Sequence, residues 1–168
     1  MKTLVLGIGN LLLGDEGVGV HAARKLLKED LPQGARVLEI GTAILDALSE
    51  LEKAQRVIVL DAMTYTGDPG TIYQIPHHQW RGSLCIASMH GFDLFRTLAL
   101  TGRTSLPDVL VLGVEPSHLD WSTELSAPVA EALPLLLETV RRQIRRANNG
   151  QRRGPGHARR FGIFTCAR

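Results

Sequence analysis

The stretch from Leu4 to Gly19 constrains this chain more than any other part of it. A short apolar run, Thr3 to Leu6, stops at Gly7-Ile8-Gly9-Asn10, and a second pair of glycines, Gly17 and Gly19, opens a helical stretch. Strand, tight glycine turn and helix make the first half of a doubly wound α/β fold, whose binding crevice lies beyond the carboxyl end of the first strand. Glycines in such a turn ordinarily bring backbone N–H groups to a phosphate. Here the dinucleotide fingerprint would need glycine where Leu12 stands, and the loop presents adjacent carboxylates, Asp15 and Glu16, where a phosphate would want positive charge. An ionised pair at a helix N-terminus, in a glycine-lined crevice, points to a cation. A Rossmann-type nucleotide binder is the remoter reading.

The rest of the chain alternates strand and helix. Val18–Leu31 reads as an amphipathic helix with Val20, Ala23, Leu26 and Leu27 on one face, ended by Pro32-Gln33-Gly34. Ala35–Ile40 is the second strand, followed by Gly41-Thr42 and a short helix over Ile44–Leu51. Val57–Leu60 is a continuous apolar run of the kind found in a central parallel strand, and it ends at Asp61. Thr71–Ile75 is a weaker strand, and Pro76–Ala87 an irregular segment with His77, His78, Trp80 and Gly82. Ser88 is placed to cap a helix over Phe92–Thr101, and Val109–Val114 is another buried strand running into Glu115-Pro116. Ser126 has the place of an N-cap, with Pro128 in the first turn of the last helix and Pro134 expected to kink or restart it. The expectation is one α/β domain over residues 1–149, a twisted, mainly parallel sheet between helices on both faces, followed by a basic, disordered tail over 150–168.

The formal charge of +2 conceals a division: residues 1–140 carry ten Lys/Arg against 17 Asp/Glu, whereas everything after Glu138 is free of acids and holds nine arginines. The arginines of Arg141–Arg146 fit a solvated helix end, favourable against its dipole, and no aromatic platform accompanies them, so nucleic acid is not expected as a partner. Cys85 and Cys166 make neither a disulfide framework nor a C-x-x-C pair. The chain opens directly on a core strand, with no signal peptide and no apolar run of the ~18 residues that would span a bilayer, so a cytoplasmic monomer is expected.

Two buried strands lead into acids and a histidine opens a helix: Glu16 after the first strand, Asp61 at the end of the third, His90 before Phe92. Strand ends in a doubly wound sheet converge on one edge. Two carboxylates and an imidazole suit a borderline divalent ion such as nickel, zinc or manganese. His77 and His78 are adjacent on a loop and point apart, His21 lies off the helix face, His118 reads as surface loop, and Glu115 ends a strand at the same edge. The chain has no H-E-x-x-H, no G-x-S-x-G and no recognisable cysteine nucleophile.

The pattern Gly7-x-Gly9-Asn10 followed by Asp15-Glu16-Gly17-x-Gly19 resembles the N-terminal signature of the nickel–iron hydrogenase maturation endopeptidases. The likeness continues in order through Val57–Ala62, Ser88-x-His90, Leu112–Pro116 and Leu125-Ser126, and covers about residues 3–145. The resemblance implies a three-layer phosphorylase/hydrolase-like sandwich and an aspartyl-type endopeptidase. Such an enzyme removes the C-terminal extension of the hydrogenase large-subunit precursor after nickel insertion. By motif position the family's metal ligands fall on Glu16, Asp61 and His90, with Asp61 and Glu39 as the candidate catalytic carboxylates. Glu39 departs from the pattern, because many relatives carry Asp-Gly-Gly-Thr where this chain has Glu39-Ile40-Gly41-Thr42. Three protein ligands suit a nickel that the precursor itself presents better than one held permanently. The rival to cleavage is a checkpoint protein that senses nickel in the precursor without cutting.

Overall fold

The computed structural model describes residues 2–76 and 89–148, apart from the side chains of residues 89–93 and 95. Five strands, β1 (Thr3–Ile8), β2 (Ala35–Gly41), β3 (Arg56–Ala62), β4 (Ile72–Pro76) and β5 (Asp108–Val114), form one mixed sheet in the order β2-β1-β3-β5-β4. All neighbours run parallel except β4, which lies antiparallel against β5 at one edge. Pro76 ends that edge strand, where a missing N–H leaves no ladder bond unmade.

Alternation along the strands divides the core in two. Val5, Ile58, Leu60, Leu110 and Leu112 face the helices α1 (Val18–Leu26) and α4 (Ala127–Asn148). Leu4, Leu6, Ile8, Val57, Val59, Val109 and Val111 face α2 (Leu48–Lys53) and α3 (Met89–Leu100). β1, β3 and β5 are covered on both faces, which is why their sequences are nearly unbroken apolar runs.

Helix ends differ from the periodicity in instructive ways. α1 ends at Leu26, and the chain tightens through Lys28 and Glu29 by bonds to the carbonyls of Lys25 and Leu26, so the apolar pattern outlasts the α-helical geometry. The helix expected over Ile44–Leu51 is a 3-10 turn, Ile44–Ala47, leading into α2. The Arg103 guanidinium donates to the carbonyls of Leu51, Glu52 and Ala54 at 3.2, 3.0 and 2.6 Å, closing the C-terminus of α2. α4 does not restart at Pro134 but runs unbroken through it. The cap expected at Ser88 lies outside the described residues.

The glycines after β1 are there for close packing. Gly19, the second residue of α1, lies against the carbonyl oxygens of Leu60 and Ile8, and a Cβ there would fall far inside van der Waals distance of both. A Cβ on Gly7 would strike Ala23 and the Gly19 carbonyl. The start of α1 is thus seated directly on the backbone of β1 and β3. In an ordinary helix Gly→Ala is favourable by about 1 kcal/mol. Gly19→Ala is expected to reverse that sign and lose on the order of 3 kcal/mol, read as a lower denaturation midpoint in urea.

Candidate functional site

The chain enters the sheet at β1, steps outward to β2, and then crosses to β3 on the other side, so the strand order reverses between β1 and β3. Ligands of open α/β sheets bind in the crevice beyond the strand ends at such a reversal. Glu16 and Asp61 flank it. Glu16 sits half-buried in the 3-10 turn Gly14–Gly17 that follows β1 and packs against β3. Gly9, at φ 124°, lies under the Glu16 carbonyl so closely that no Cβ fits, which fixes the turn relative to the strand. Asp61 is 2% exposed near the carboxyl end of β3, on the face shared with Val57 and Val59. Its register partner is Gly113, and a Cβ on Gly113 would collide with Met63, so the bare backbone beside Asp61 makes room for that thioether.

His90 is the second residue of α3, whose far end leads into the start of β5, so the helix N-terminus belongs to the carboxyl edge of the sheet. The His90 side chain lies outside the described residues, as do His77, His78, Trp80, Gly82, Cys85, Cys166 and the 149–168 tail. Among the described residues no three His, Cys, Asp or Glu side chains form a metal-holding group.

The adjacent acids Asp15 and Glu16 divide into two roles. Asp15 is fully buried, and it accepts hydrogen bonds from the Ser126 backbone (2.7 Å), the Ser126 hydroxyl (2.8 Å) and the Ser117 (2.8 Å) and His118 (3.4 Å) backbones. Burial alone would raise its pKa; the bonds from Ser126, Ser117 and His118 outweigh that and hold the carboxyl below the usual carboxylate value of 3.8. Asp15 therefore ties the turn after β1 to the loop after β5, and the Ser126 hydroxyl expected to cap α4 donates to it.

Glu39 takes another direction. Its carboxylate receives a two-pronged bond from Arg24 of α1, at 3.0 and 2.7 Å. The pairing Gly7↔Glu39, then Ile8↔Gly41, leaves Ile40 as an extra residue in β2. Glu39 stands opposite Gly7 on the α1 face, whereas Ile40 packs into the core on the side of Asp61. Glu16 follows β1 and Asp61 stands near the carboxyl end of β3, whereas the Glu39 carboxylate is engaged by Arg24 on the α1 face.

Glu115 is 6% exposed, and both its oxygens accept from the Tyr65 backbone N–H at 3.0 and 2.9 Å while the Tyr73 hydroxyl also donates to it. Burial, followed by that bond, pushes the Tyr73 hydroxyl up to about 12. Glu115 so fastens the loop between β3 and β4. His21 is a packing residue, half-buried against the loop at Thr123; burial, then the charge of Arg24, hold its imidazole below the usual histidine range.

A family model for hydrogenase maturation protease matches residues 20–143. The chain belongs to the hydrogenase maturation protease family. It is 32% identical over 152 residues to the hydrogenase expression/formation protein HupD of Rhizobium leguminosarum, spanning 86% of this chain and 74% of that protein. The structure is similar to the hydrogenase maturating endopeptidase HybD from E. coli, with a TM-score of 0.76, 28% identity, and 89% and 94% of the two chains covered. The NiFe hydrogenase maturation protease HybD from Thermococcus kodakarensis superposes with a TM-score of 0.73 at 25% identity, covering 86% and 99%. The α/β sandwich expected from the sequence is the fold of these family members. No helix among the described residues is long and apolar enough to cross a membrane.

Within the family signature, Glu16 stands at the crevice and Asp15 supports it from the buried side. Because its folded-state pKa is depressed, Asp15 contributes stability that is complete above the ordinary carboxylate range and fades as pH falls through the folded value. Asp15→Asn is expected to cost about 2 kcal/mol near neutral pH. Denaturation curves of the two proteins should converge as the pH is lowered below the usual value of 3.8.

Proposed function

We propose that this chain is a processing endopeptidase that removes the C-terminal extension of a NiFe hydrogenase large-subunit precursor once nickel has been inserted. One observation carries the reading: in a member of the hydrogenase maturation protease family, Glu16 and Asp61 flank the strand-order reversal, with His90 opening the helix at the same edge. Two carboxylates and an imidazole are a donor set that fits nickel. The nickel belongs to the substrate: Glu16, Asp61 and His90 would recognise it in the precursor and so set the scissile peptide in place.

Hydrolysis adds the oxygen of water to the scissile carbonyl carbon, breaks the C–N bond and delivers a proton to the leaving amine. Asp61, held at a strand end within a backbone that cannot yield, is assigned the water: its carboxylate takes the proton and returns it to the departing nitrogen. Substrate-borne nickel would polarise the carbonyl. Glu39, engaged by Arg24 on the opposite face, is assigned to anchoring α1 against β2.

Incubation with nickel-loaded and nickel-free precursor, followed by intact-mass measurement of the large subunit, tests this. Cleavage is expected only with nickel, and Glu16→Gln, Asp61→Asn and His90→Ala should each slow it by about a hundredfold or more. Binding without a loss of mass would make the protein a nickel checkpoint, and cleavage indifferent to nickel would remove the metal from the mechanism. Glu39→Gln should lose about 1 kcal/mol of stability or less and keep cleavage at the wild-type order of magnitude.

A further inference from the structure

Beside the crevice the chain builds a second surface. The turn after β1 and the loop after β5 are laced together by backbone bonds: Leu13 bridges Ser122 in parallel, Gly14 N–H donates to the Ser122 carbonyl at 2.8 Å, and Ser122 N–H donates to the Leu12 carbonyl at 3.0 Å. One residue before the bridge on each strand stand Leu12 and Trp121, which are 52% and 81% exposed, and Leu119 nearby is 48% exposed. Leu12 lies one turn from Glu16, whose N–H bonds to the Leu13 carbonyl. Large apolar side chains are thus held in water, on a hydrogen-bonded frame, at the lip of the proposed active site. A tryptophan so exposed on a fixed frame is the residue type that anchors protein interfaces.

Charge says what covers it. The described loops at the carboxyl edge, residues 9–17, 42–47, 63–71 and 115–126, contain no lysine or arginine. Besides Asp15 and Glu115, which are satisfied internally, they carry Glu16, Asp46, Asp68, Asp120 and Glu124, the last two flanking Trp121. Lys28, Arg56, Arg103 and the last turns of α4, where Arg141 pairs with Glu29 at 2.8 Å, lie at the other end, and Arg24, which is nearer this edge, is paired with Glu39. A second copy of this chain docking through the same edge, or an anionic membrane, would meet like charge there.

We propose that Leu12, Leu119 and Trp121, ringed by Asp120 and Glu124, form a docking surface for a basic polypeptide segment carrying a large apolar side chain, and that this segment belongs to the precursor substrate. The inference rests on the proteolytic reading above for the identity of the partner. The apolar anchor would then supply affinity, the acidic ring would steer the segment, and both would act beside the crevice without entering the chemistry.

Kinetics on the nickel-loaded precursor, with binding measured in parallel at low and high salt, test the surface. Trp121→Ala is expected to raise KM and Kd about tenfold with kcat unchanged. The pair Asp120→Lys and Glu124→Lys should weaken binding and abolish its loss at high salt. Since all three side chains are exposed, thermal midpoints should stay at the wild-type value. Wild-type KM, Kd and salt dependence in these variants would overturn the docking surface even if cleavage itself is seen. If wild type binds the precursor without cutting it, the proteolytic reading fails, while weaker binding by the variants still upholds the surface. Self-association of the wild type that Trp121→Ala abolishes would overturn it in favour of a contact between copies.

Discussion

The buried carboxylate of Asp15 is the tie on which the carboxyl edge of this protein depends. Two loops that would otherwise stand apart, one after β1 and one after β5, share a single acceptor that draws in the Ser117 and His118 backbones and both donors of Ser126. An ionised group with no exposed surface is tolerated only where hydrogen bonds replace water. Its neighbour Glu16 is thereby held half-buried at the crevice, and the first turn of α4 is fixed to the same point. Geometry at the site is set by this knot before any ligand arrives.

A second constraint is the near absence of side chains where α1 meets the sheet. Gly7, Gly9 and Gly19 let backbone rest on backbone, so the strand-order reversal is braced by close van der Waals packing of main chain on main chain. Around this centre the fold distributes its charges by position. Acids gather in the loops at the carboxyl edge, and the arginines of α4 run back to the amino edge, where Asn148 reaches the Gln33 carbonyl at 3.3 Å. The four arginines of α4 therefore lie at the end of the sheet away from the crevice.

Much of this was legible in the sequence, because apolar runs and glycine turns are local signals. Thr3–Leu6, Val57–Leu60 and Val109–Val114 became β1, β3 and β5, and Asp61 stands near the end of β3 as its run predicted. The separate fates of Asp15 and Glu16 were not legible. The partners of Asp15 lie 102 to 111 residues away, and adjacent acids look alike until the loops are folded together. The orientation of Glu39 was half-visible, since it shares the face of Val37 by simple alternation. Which face that is relative to Asp61 depends on register across β1, and the extra residue at Ile40 is a matter of pairing that no single strand encodes. The antiparallel course of β4 likewise comes from its pairing with β5.

The seat of α1 on the sheet has a consequence for how this chain can vary. Most tight spots in a core join two side chains, and enlarging one can be compensated by trimming the other. At Gly19 the opposing atoms are the carbonyl oxygens of Leu60 and Ile8, which every amino acid carries. No substitution at those two positions removes the obstacle. A lineage that loses this glycine can recover the fold by regaining it, or by moving a whole helix, but not by a single repair elsewhere.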